Sequence, residues 1–330
     1  MKIRTAIVDA VKRMPFVRAV AFSGYNYYWR RRTARDLSRQ YKEPPLFLMD
    51  GSSYSAPTLI ALTSQLCTAS QCLEPRYEHW CHEMRSPVRL GRKQWEFVFV
   101  LEALSQHNML VAGRRGLGFG CGREPLPALF AKYGCNIVAT DLKTDEAAVK
   151  GWVHTEQHAS NLAELNSQGI CESSIFQKKV GFEFVDMNNI PSKFSVGYDF
   201  VWSSCAFEHL GSIRHGLDFV GNTMKCLKPG GIAVHTTEFN LSSDEDTVED
   251  PNCVLFRRRD MLQLQHELEL QGYVVAPFNF NPGDTPVDKH IDCPPFSPSP
   301  HLKLKLGQYA TTSIGLIVCK PADFKENNTA

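Results

Sequence analysis

The sequence has no long apolar run and no excess of charge of either sign. No stretch approaches the roughly 18 apolar residues that a membrane-spanning helix needs. Asp9, Lys12 and Arg13 interrupt the N-terminus where a signal peptide would have its apolar core. The formal net charge of the 330 residues is +1, which argues against a nucleic-acid-binding surface spread over the molecule. We therefore expect a cytoplasmic globular protein with no nucleic-acid partner.

The cysteines also lack the spacing of a zinc site or of a disulfide framework. There are 11 of them, an odd number, and no two form a Cys-x-x-Cys pair. The tightest group of His and Cys is His79-Trp80-Cys81-His82, which a helix with partly buried side chains explains more simply than a metal does. We expect free thiols in a reducing compartment and no bound metal.

A glycine-rich turn followed by an acid is the most informative feature that the sequence does contain. Residues 114–124 (RRGLGFGCGRE) and 137–141 (IVATD) predict a strand, a turn, a helix and a second strand, as in the first half of a nucleotide-binding α/β unit. Glycines let backbone N–H groups approach a ligand closely. Asp141 lies 19 positions after Gly122, the spacing of an acid that binds ribose hydroxyls.

The glycine spacing does not fit a dinucleotide site. The dinucleotide pattern G-x-G-x-x-G needs a third glycine for close packing of the helix on the strand. That position is Arg123 when counted from Gly118 and Pro125 when counted from Gly120. A NAD-type oxidoreductase shares the α/β architecture, but the missing third glycine makes it the weaker alternative.

The turn resembles the first motif of class I methyltransferases that use S-adenosylmethionine (SAM), D/E-x-G-x-G-x-G. Gly118, Gly120 and Gly122 fill the three glycine positions, whereas the acid position is Gly116. Glu124 has two interpretations. It either supplies the missing negative charge from the other side of the turn, or it is an acid in the first turn of a helix, where the macrodipole favours it.

Later segments support the resemblance because they follow in the expected order. Residues 182–187 (FEFVDM) predict a strand that ends in an acid, and residues 198–204 (YDFVWSS) predict an apolar strand that ends in small residues. Residues 224–231 (MKCLKPGG) end a helix, and residues 232–237 (IAVHTT) predict a fifth strand.

The resemblance implies a Rossmann-like α/β fold, with a mostly parallel seven-stranded sheet flanked by helices, and SAM as cofactor. Asp141 would bind the ribose of SAM, and Asp186 with Met187 would bind its adenine. The full set of cofactor-binding residues that it implies is Gly118, Gly120, Gly122, Glu124, Asp141, Leu142, Asp186, Met187 and Ser203.

Side chains that can accept a proton follow the fourth and fifth strands. A hydroxyl acceptor must lose its proton on methylation, so a general base is expected. Glu208 and His209 follow the fourth strand, and His235 and Glu238 lie in or just after the fifth; His235 or Glu238 is the preferred base. His235 as an ordinary strand residue and Glu208 as a helix cap remain open. The acidic run 244–250 predicts a solvated loop, with a divalent-metal site that includes Glu238 as the alternative.

Several short phrases resemble bacterial methyltransferases associated with surface-polysaccharide assembly. This narrower resemblance implies methylation of a hydroxyl, or of a phosphate, on a glycan or another small-molecule acceptor. A non-catalytic partner of a glycosyltransferase with the same fold is the remaining alternative. The phrases are Trp95-Glu-Phe, Arg115-Gly-Leu-Gly-Phe-Gly-Cys-Gly-Arg-Glu-Pro, Phe207-Glu-His-Leu-Gly, His235-Thr-Thr-Glu-Phe-Asn and His301-Leu-Lys-Leu.

We expect three parts along the chain. Residues 1–105 form an N-terminal helical extension that caps the ligand site, residues 106–322 form the methyltransferase domain, and residues 323–330 form a tail. Residues 1–32 interleave basic and apolar side chains. This pattern is typical of a helix at the inner face of an anionic membrane, of a docking arm for a partner such as a glycosyltransferase, or of a plain surface helix.

Overall fold

The computed structural model describes residues 48–143 and 161–325. The basic segment 1–32 and residues 326–330 of the predicted tail therefore lie outside the described residues. Residues 48–143, 161–293 and 297–325 belong to one compact unit. Within the described ranges, no helix combines the length and the apolar character that crossing a bilayer requires.

Short helices and strands alternate along most of this unit. The helices are α1 (Pro75–Glu83), α2 (Arg92–Gln106), α3 (Leu126–Lys132), α4 (Ser173–Lys179), α5 (Ile213–Thr223) and α6 (Arg258–Leu270). The strands are β1 (Ser64–Gln65), β2 (Arg115–Phe119), β3 (Asn136–Asp141), β4 (Val180–Phe184), β5 (Tyr198–Ser204), β6 (Leu227–Asn240), β7 (Glu249–Asp250), β8 (Cys253–Val254), β9 (Val274–Val275), β10 (Phe278–Asn279), β11 (Ile291–Asp292), β12 (Lys303–Leu306) and β13 (Tyr309–Cys319).

A nine-stranded sheet forms the centre of the unit. Its order is β11-β12-β13-β6-β5-β2-β3-β4, and β9 pairs with β13 beside this row. Strands β2 to β6 run parallel to their neighbours, whereas β13 is antiparallel to β6. The Rossmann-like, mostly parallel fold is thus confirmed. The sheet has nine strands instead of seven because the short strands β11 and β12 extend the edge beside β13.

Helices cover both faces of the sheet, which explains why its central strands are apolar at consecutive positions. Strand β5 is buried along its whole length. On one face, Phe130 of α3 contacts Phe200 and Trp202, at ring-centroid distances of 5.3 and 4.9 Å. On the other face, Phe119 of β2 lies 5.4 Å from Phe219 of α5.

Helix α2 packs directly on this sheet, although it belongs to the segment that the sequence predicts as an extension. A Cβ added at Gly315 of β13 would lie 2.3 Å from the ring of Phe99, so helix and strand are in close contact. Residues 48–74 contain only β1 and the 3-10 turn Gln71–Leu73. The described part of the predicted helical extension is therefore helical only from Pro75 onwards, while the domain boundary at residue 105 stays a prediction.

Candidate active site

A cavity of about 260 Å³ opens at the carboxyl ends of the parallel strands. This is where open α/β sheets bind their ligands, because the connecting loops diverge there. The turn after β2, the loops after β3, β4 and β5, and the first turns of α2 line it. The predicted cofactor residues that line the cavity are Gly120, Gly122, Glu124, Asp141, Leu142, Asp186 and Met187.

The glycine turn has the left-handed backbone that its sequence predicts. Gly120 has φ +58° and Gly122 has φ +51°, a region that side chains strongly disfavour. A Cβ at Gly120 would also lie 2.8 Å from Cβ of Ala206 and 3.3 Å from Sδ of Met187. The turn is therefore tight enough to bring main-chain N–H groups to the cavity wall.

Gly118 and Ser203 lie behind the cavity instead of lining it. A Cβ at Gly118 would lie 2.3 Å from the Trp202 ring and 2.4 Å from Sγ of Cys121, so this glycine makes room for the indole. Ser203 is fully buried, and its hydroxyl lies 2.8 Å from Nδ1 of His235. Both residues support the site through packing.

Two carboxylates are held at the cavity by main-chain N–H groups. Asp141 accepts hydrogen bonds from the N–H of Gly122 at 3.1 Å and from that of Leu142 at 2.8 Å. Asp186 accepts one from the N–H of Asn188 at 2.9 Å. Fixed acids at the ends of adjacent strands suit the hydroxyl and amino groups of an adenosine, so these residues fit the cofactor that the resemblance implies.

Of the four candidate bases, His209 is the one that lines the cavity. It sits in the 3-10 turn Phe207–His209 that follows β5. Its Nδ1 lies 2.6 Å from the carbonyl oxygen of Asn252, which can only accept a hydrogen bond. Nδ1 therefore carries the hydrogen, and in the neutral ring the lone pair is on Nε2.

His235 is a packing residue in the middle of the sheet. It is fully buried, with Nδ1 beside the Ser203 hydroxyl at 2.8 Å and Nε2 beside the Thr223 hydroxyl at 3.2 Å. The rings of Phe207 and Phe219 enclose it, at 6.1 and 5.6 Å. Burial lowers its pKa to about 3. The structure thus favours the strand-residue interpretation over the role of catalytic base.

Helix α2 and strand β6 form a cluster of charges beside the cavity that we call the α2 ion cluster: Arg92, Lys93, Glu96 and Glu238. Glu96 and Glu238 are buried, whereas Lys93 is exposed at the cavity wall. The Arg92 guanidinium pairs with Glu238 and lies 3.6 Å from Glu96. Nζ of Lys93 lies 3.1 Å from Glu96 and donates to the carbonyl of Ser204 at 3.0 Å. Burial opposes ionisation of Glu96, but Lys93 and Arg92 outweigh it and lower its pKa.

Glu238 differs from Glu96 because burial dominates its ionisation. Desolvation raises its pKa to about 7, although Arg92 pulls in the opposite direction. No hydrogen-bond donor among the described residues reaches its Oε2. Glu238 does not line the cavity, but its neighbour Cys205 does.

Cys205 connects the α2 ion cluster to the cavity wall. Ligand atoms of Cys205, Glu208 and Glu238 lie within 4.8 Å of one another, a spacing that a metal ion would allow. However, the Cys205 thiol donates to Glu96 at 3.0 Å, and burial, Glu208 and Glu96 hold its pKa well above the usual range. Arg92 already acts as the cation for Glu238, so Cys205 and Glu238 both belong to the network of polar contacts around α2.

Glu208 and the acidic run have structural partners. Glu208 is buried and accepts a hydrogen bond from the Thr237 hydroxyl at 2.9 Å, so it ties the 3-10 turn to β6 instead of capping a helix through its side chain. In the acidic run, Asp244 and Glu245 both bind Arg259 at the start of α6, at 2.7 and 2.6 Å. The alternative, a metal site between this run and Glu238, is not formed by the described residues.

The residues of α2 were absent from the sequence-based set of site residues. Lys93 and Phe97 line the cavity, and Arg92 and Glu96 anchor the cluster behind it. The signal was present in the phrase Trp95-Glu-Phe, since this phrase, Phe207-Glu-His and His235-Thr-Thr-Glu each place a buried acid close to Cys205. The three phrases are far apart in the sequence, so the sequence alone does not show that their acids lie close together.

Residues 96–279 match a protein-family model described as a methyltransferase domain. The match spans more than half of the chain and includes the glycine turn, both fixed acids and the 3-10 turn with His209. None of the curated protein sequences is significantly similar to the chain.

Among solved structures, one similar protein from Galdieria sulphuraria is named for sarcosine dimethylglycine methyltransferase activity, with 14% identity, coverage of 76% of this chain and 99% of the other, and a TM-score of 0.44. A SAM-dependent methyltransferase from Aquifex aeolicus has 14% identity, coverage of 67% and 88%, and a TM-score of 0.37. A 1,6-didemethyltoxoflavin-N1-methyltransferase from Burkholderia thailandensis, solved with S-adenosylhomocysteine, has 12% identity, coverage of 66% and 76%, and a TM-score of 0.40.

Proposed function

The chain belongs to the methyltransferase domain family, and on this premise we propose that it methylates a hydroxyl group of a glycan or of another small-molecule acceptor. The enzyme is a SAM-dependent methyltransferase, and SAM supplies a methyl group activated by its sulfonium when it is bound. The proposal therefore concerns the acceptor, the methylated atom and the residues that act on them.

The cofactor residues in the proposal are those that the cavity brings together. Asp141, fixed by the N–H groups of Gly122 and Leu142, would bind the ribose hydroxyls, and Asp186 with Met187 would bind the adenine. Preorganised acids cost little to position on binding, because their side chains are already held in one orientation.

The position of His209 is the single observation that carries the choice of a hydroxyl acceptor. An alcohol oxygen must give up its proton when a carbon bond forms, so a base within reach of the acceptor accelerates the reaction. Nε2 of His209 carries the lone pair in the neutral ring, and the Asn252 carbonyl holds the ring in that tautomer. We assign His209, which lines the cavity, as the base in place of His235 or Glu238.

The charges along the cavity favour a neutral hydroxyl over a phosphate. Among the described residues, the cavity has two side chains that are always cationic, Lys93 and Arg123, and they already pair with Glu96 at 3.1 Å and with Glu164 at 3.4 Å. Asp141 and Asp186 add negative charge. A phosphate would have to displace one of these pairs, whereas a sugar hydroxyl would not. The narrower resemblance to enzymes of surface-polysaccharide assembly supports a glycan as the source of the hydroxyl.

Transfer of a labelled methyl group to a panel of acceptors tests the proposal. The panel holds neutral sugars and oligosaccharides, the corresponding sugar phosphates, and amines of similar size; mass spectrometry and NMR then locate the label. We expect the label on a hydroxyl oxygen of a neutral sugar. Transfer to nitrogen or carbon only, or no transfer to any hydroxylated acceptor by protein that binds S-adenosylhomocysteine, would overturn the proposal.

A further inference from the structure

The glycine motif of this chain has no acid at its first position, and the structure shows that there is no space for one. A Cβ at Gly116 would lie 2.4 Å from the ring of Phe200 and 2.9 Å from Cδ1 of Ile137. Phe200 is fully buried in the centre of the sheet, so it cannot move aside without disrupting the core. Any acid that meets the methionine part of SAM must therefore come from elsewhere in the chain.

Glu124 is a buried acid on the cavity wall, just beyond the glycine turn. The residue lines the cavity and is only 6% exposed. Its Oε1 accepts a hydrogen bond from Nε1 of Trp202 at 2.6 Å. The same indole lies against Gly118, so the glycine motif and β5 together fix the position of the carboxyl group.

The surroundings of Glu124 leave its negative charge poorly compensated. Among the described residues, no cationic group lies within ion-pair distance of it. Lys93 of α2 acts only from further away, while Cys121 of the turn and Ser204 of β5 lie beside the carboxyl group. Burial consequently raises the pKa of Glu124 to about 8, against the hydrogen bond from Trp202 and the charge of Lys93. A buried carboxyl without a cation is suited to receive one from a ligand.

We propose that Glu124 binds the ammonium group of the methionine part of SAM and so replaces the acid that the glycine motif lacks. This inference rests on SAM as the methyl donor and does not depend on the acceptor. It also gives the Trp202 hydrogen bond a role, because that bond holds the carboxyl group of a residue on the cavity wall in one position. A merely structural Glu124 would have the single task of holding the indole over Gly118.

Two ligands that differ in the amino-acid part separate these roles. S-adenosylhomocysteine carries the ammonium group, whereas 5′-methylthioadenosine has the same adenosine and no amino acid. Glu124→Gln retains an acceptor for the Trp202 N–H. We expect this substitution to weaken the binding of S-adenosylhomocysteine by about 10- to 100-fold, the range for a lost charged hydrogen bond. Its affinity for 5′-methylthioadenosine should change by less than about twofold, since that ligand makes no charged contact with Glu124.

Asp141→Asn is the matched control. It should weaken the binding of both ligands to a similar extent, because both contain the ribose that Asp141 is proposed to bind. Equal weakening of both ligands by Glu124→Gln, or no weakening of S-adenosylhomocysteine, would overturn the assignment of Glu124. Failure of the unaltered protein to bind either ligand would instead remove the SAM premise. If no hydroxyl group is methylated but Glu124→Gln weakens only the binding of S-adenosylhomocysteine, the acceptor proposal is wrong and the Glu124 assignment is supported.

Proton release by the unaltered protein gives a second readout that needs no variant. At pH 7 most of the Glu124 carboxyl is protonated before binding, and an ammonium partner favours its ionised form. Calorimetry in two buffers of different ionisation enthalpy should show release of close to one proton with S-adenosylhomocysteine and almost none with 5′-methylthioadenosine. Equal proton release with the two ligands would contradict the proposal.

Discussion

His209, which follows β5, and His235, which lies within β6, have opposite surroundings, and these decide their roles. His209 lies on the cavity wall with one ring nitrogen bound to a carbonyl. His235 has both ring nitrogens beside hydroxyl groups inside the core. From the sequence, His235 was the stronger candidate because it lies in a strand that reaches the site. The sequence could not show that its side chain points toward α5 instead of toward the cavity.

His209→Asn tests the base at the residue scale. Asparagine can still donate a hydrogen bond to the Asn252 carbonyl but cannot accept the acceptor's proton. We expect kcat to fall by about 10²- to 10⁴-fold, the usual contribution of a general base. The affinity for S-adenosylhomocysteine should stay within about twofold, since the adenosine contacts lie elsewhere in the cavity. His266→Asn, at an exposed position on α6, is the matched control and should leave kcat unchanged.

The buried His235 should make stability depend on pH. Its pKa is about 3 in the folded protein and near 6.5 when exposed, so acid protonates the unfolded chain first. The stabilisation is therefore complete above pH 6.5 and is lost as the pH falls toward 3. Between pH 7 and pH 5 we expect the free energy of unfolding to drop by about 2 kcal/mol more in the unaltered protein than in His235→Gln. Denaturant titrations at both pH values measure this difference; identical losses would show that His235 is not held neutral.

At the scale of elements, the glycine turn depends on backbone conformation as well as on space. Gly120→Ala would force a side chain into φ +58° and against Ala206. We expect the substitution to cost about 1–2 kcal/mol of stability and to weaken S-adenosylhomocysteine binding at least tenfold. Gly221→Ala in α5 is the control, because a Cβ there meets nothing within 4 Å. It should leave binding unchanged and stabilise the protein by about 0.5–1 kcal/mol.

Helix α2 supplies the cation that Glu238 requires, which bears on any need for a metal. Arg92 pairs with Glu238 and neighbours Glu96 at the point where a metal ion would sit among Cys205, Glu208 and Glu238. We expect dialysis against a chelator to leave turnover unchanged, and added Mg²⁺ or Zn²⁺ to produce no increase. A loss of activity that the ion restores would show that the metal displaces Arg92.

The elements that the sequence predicts well are those with local signals. The apolar strand β5 and the turn between β2 and α3 both appear as expected, because a continuous apolar run and the glycine spacing determine them. Strand β12 was missed. It follows a proline-rich loop, and its Lys303 is fully buried with Nζ donating to the Cys67 carbonyl at 2.5 Å. The four residues of β12 do alternate polar and apolar side chains, but so short a segment is a weak signal, and the partner of its buried lysine is 236 positions away.

At the scale of the whole molecule, the near-zero net charge limits long-range attraction of substrates. With a formal charge of +1, the protein has no overall field that would draw an anion or a cation to the cavity. We expect kcat/KM for a neutral acceptor to change by less than about threefold between low and high salt, because screening acts mainly on long-range attraction. A steep fall with salt would indicate a charged acceptor, and would point to Lys93 and Arg123 as its binding groups.

The hydrogen bond between Trp202 and Glu124 gives the protein a built-in optical reporter. An indole's emission responds to a charge that forms beside its nitrogen, and the carboxyl group of Glu124 lies 2.6 Å from that nitrogen. Ionisation of Glu124 on cofactor binding would therefore change the fluorescence of one buried tryptophan among the five in the chain. Stopped-flow mixing could then follow cofactor loading in real time without any attached dye.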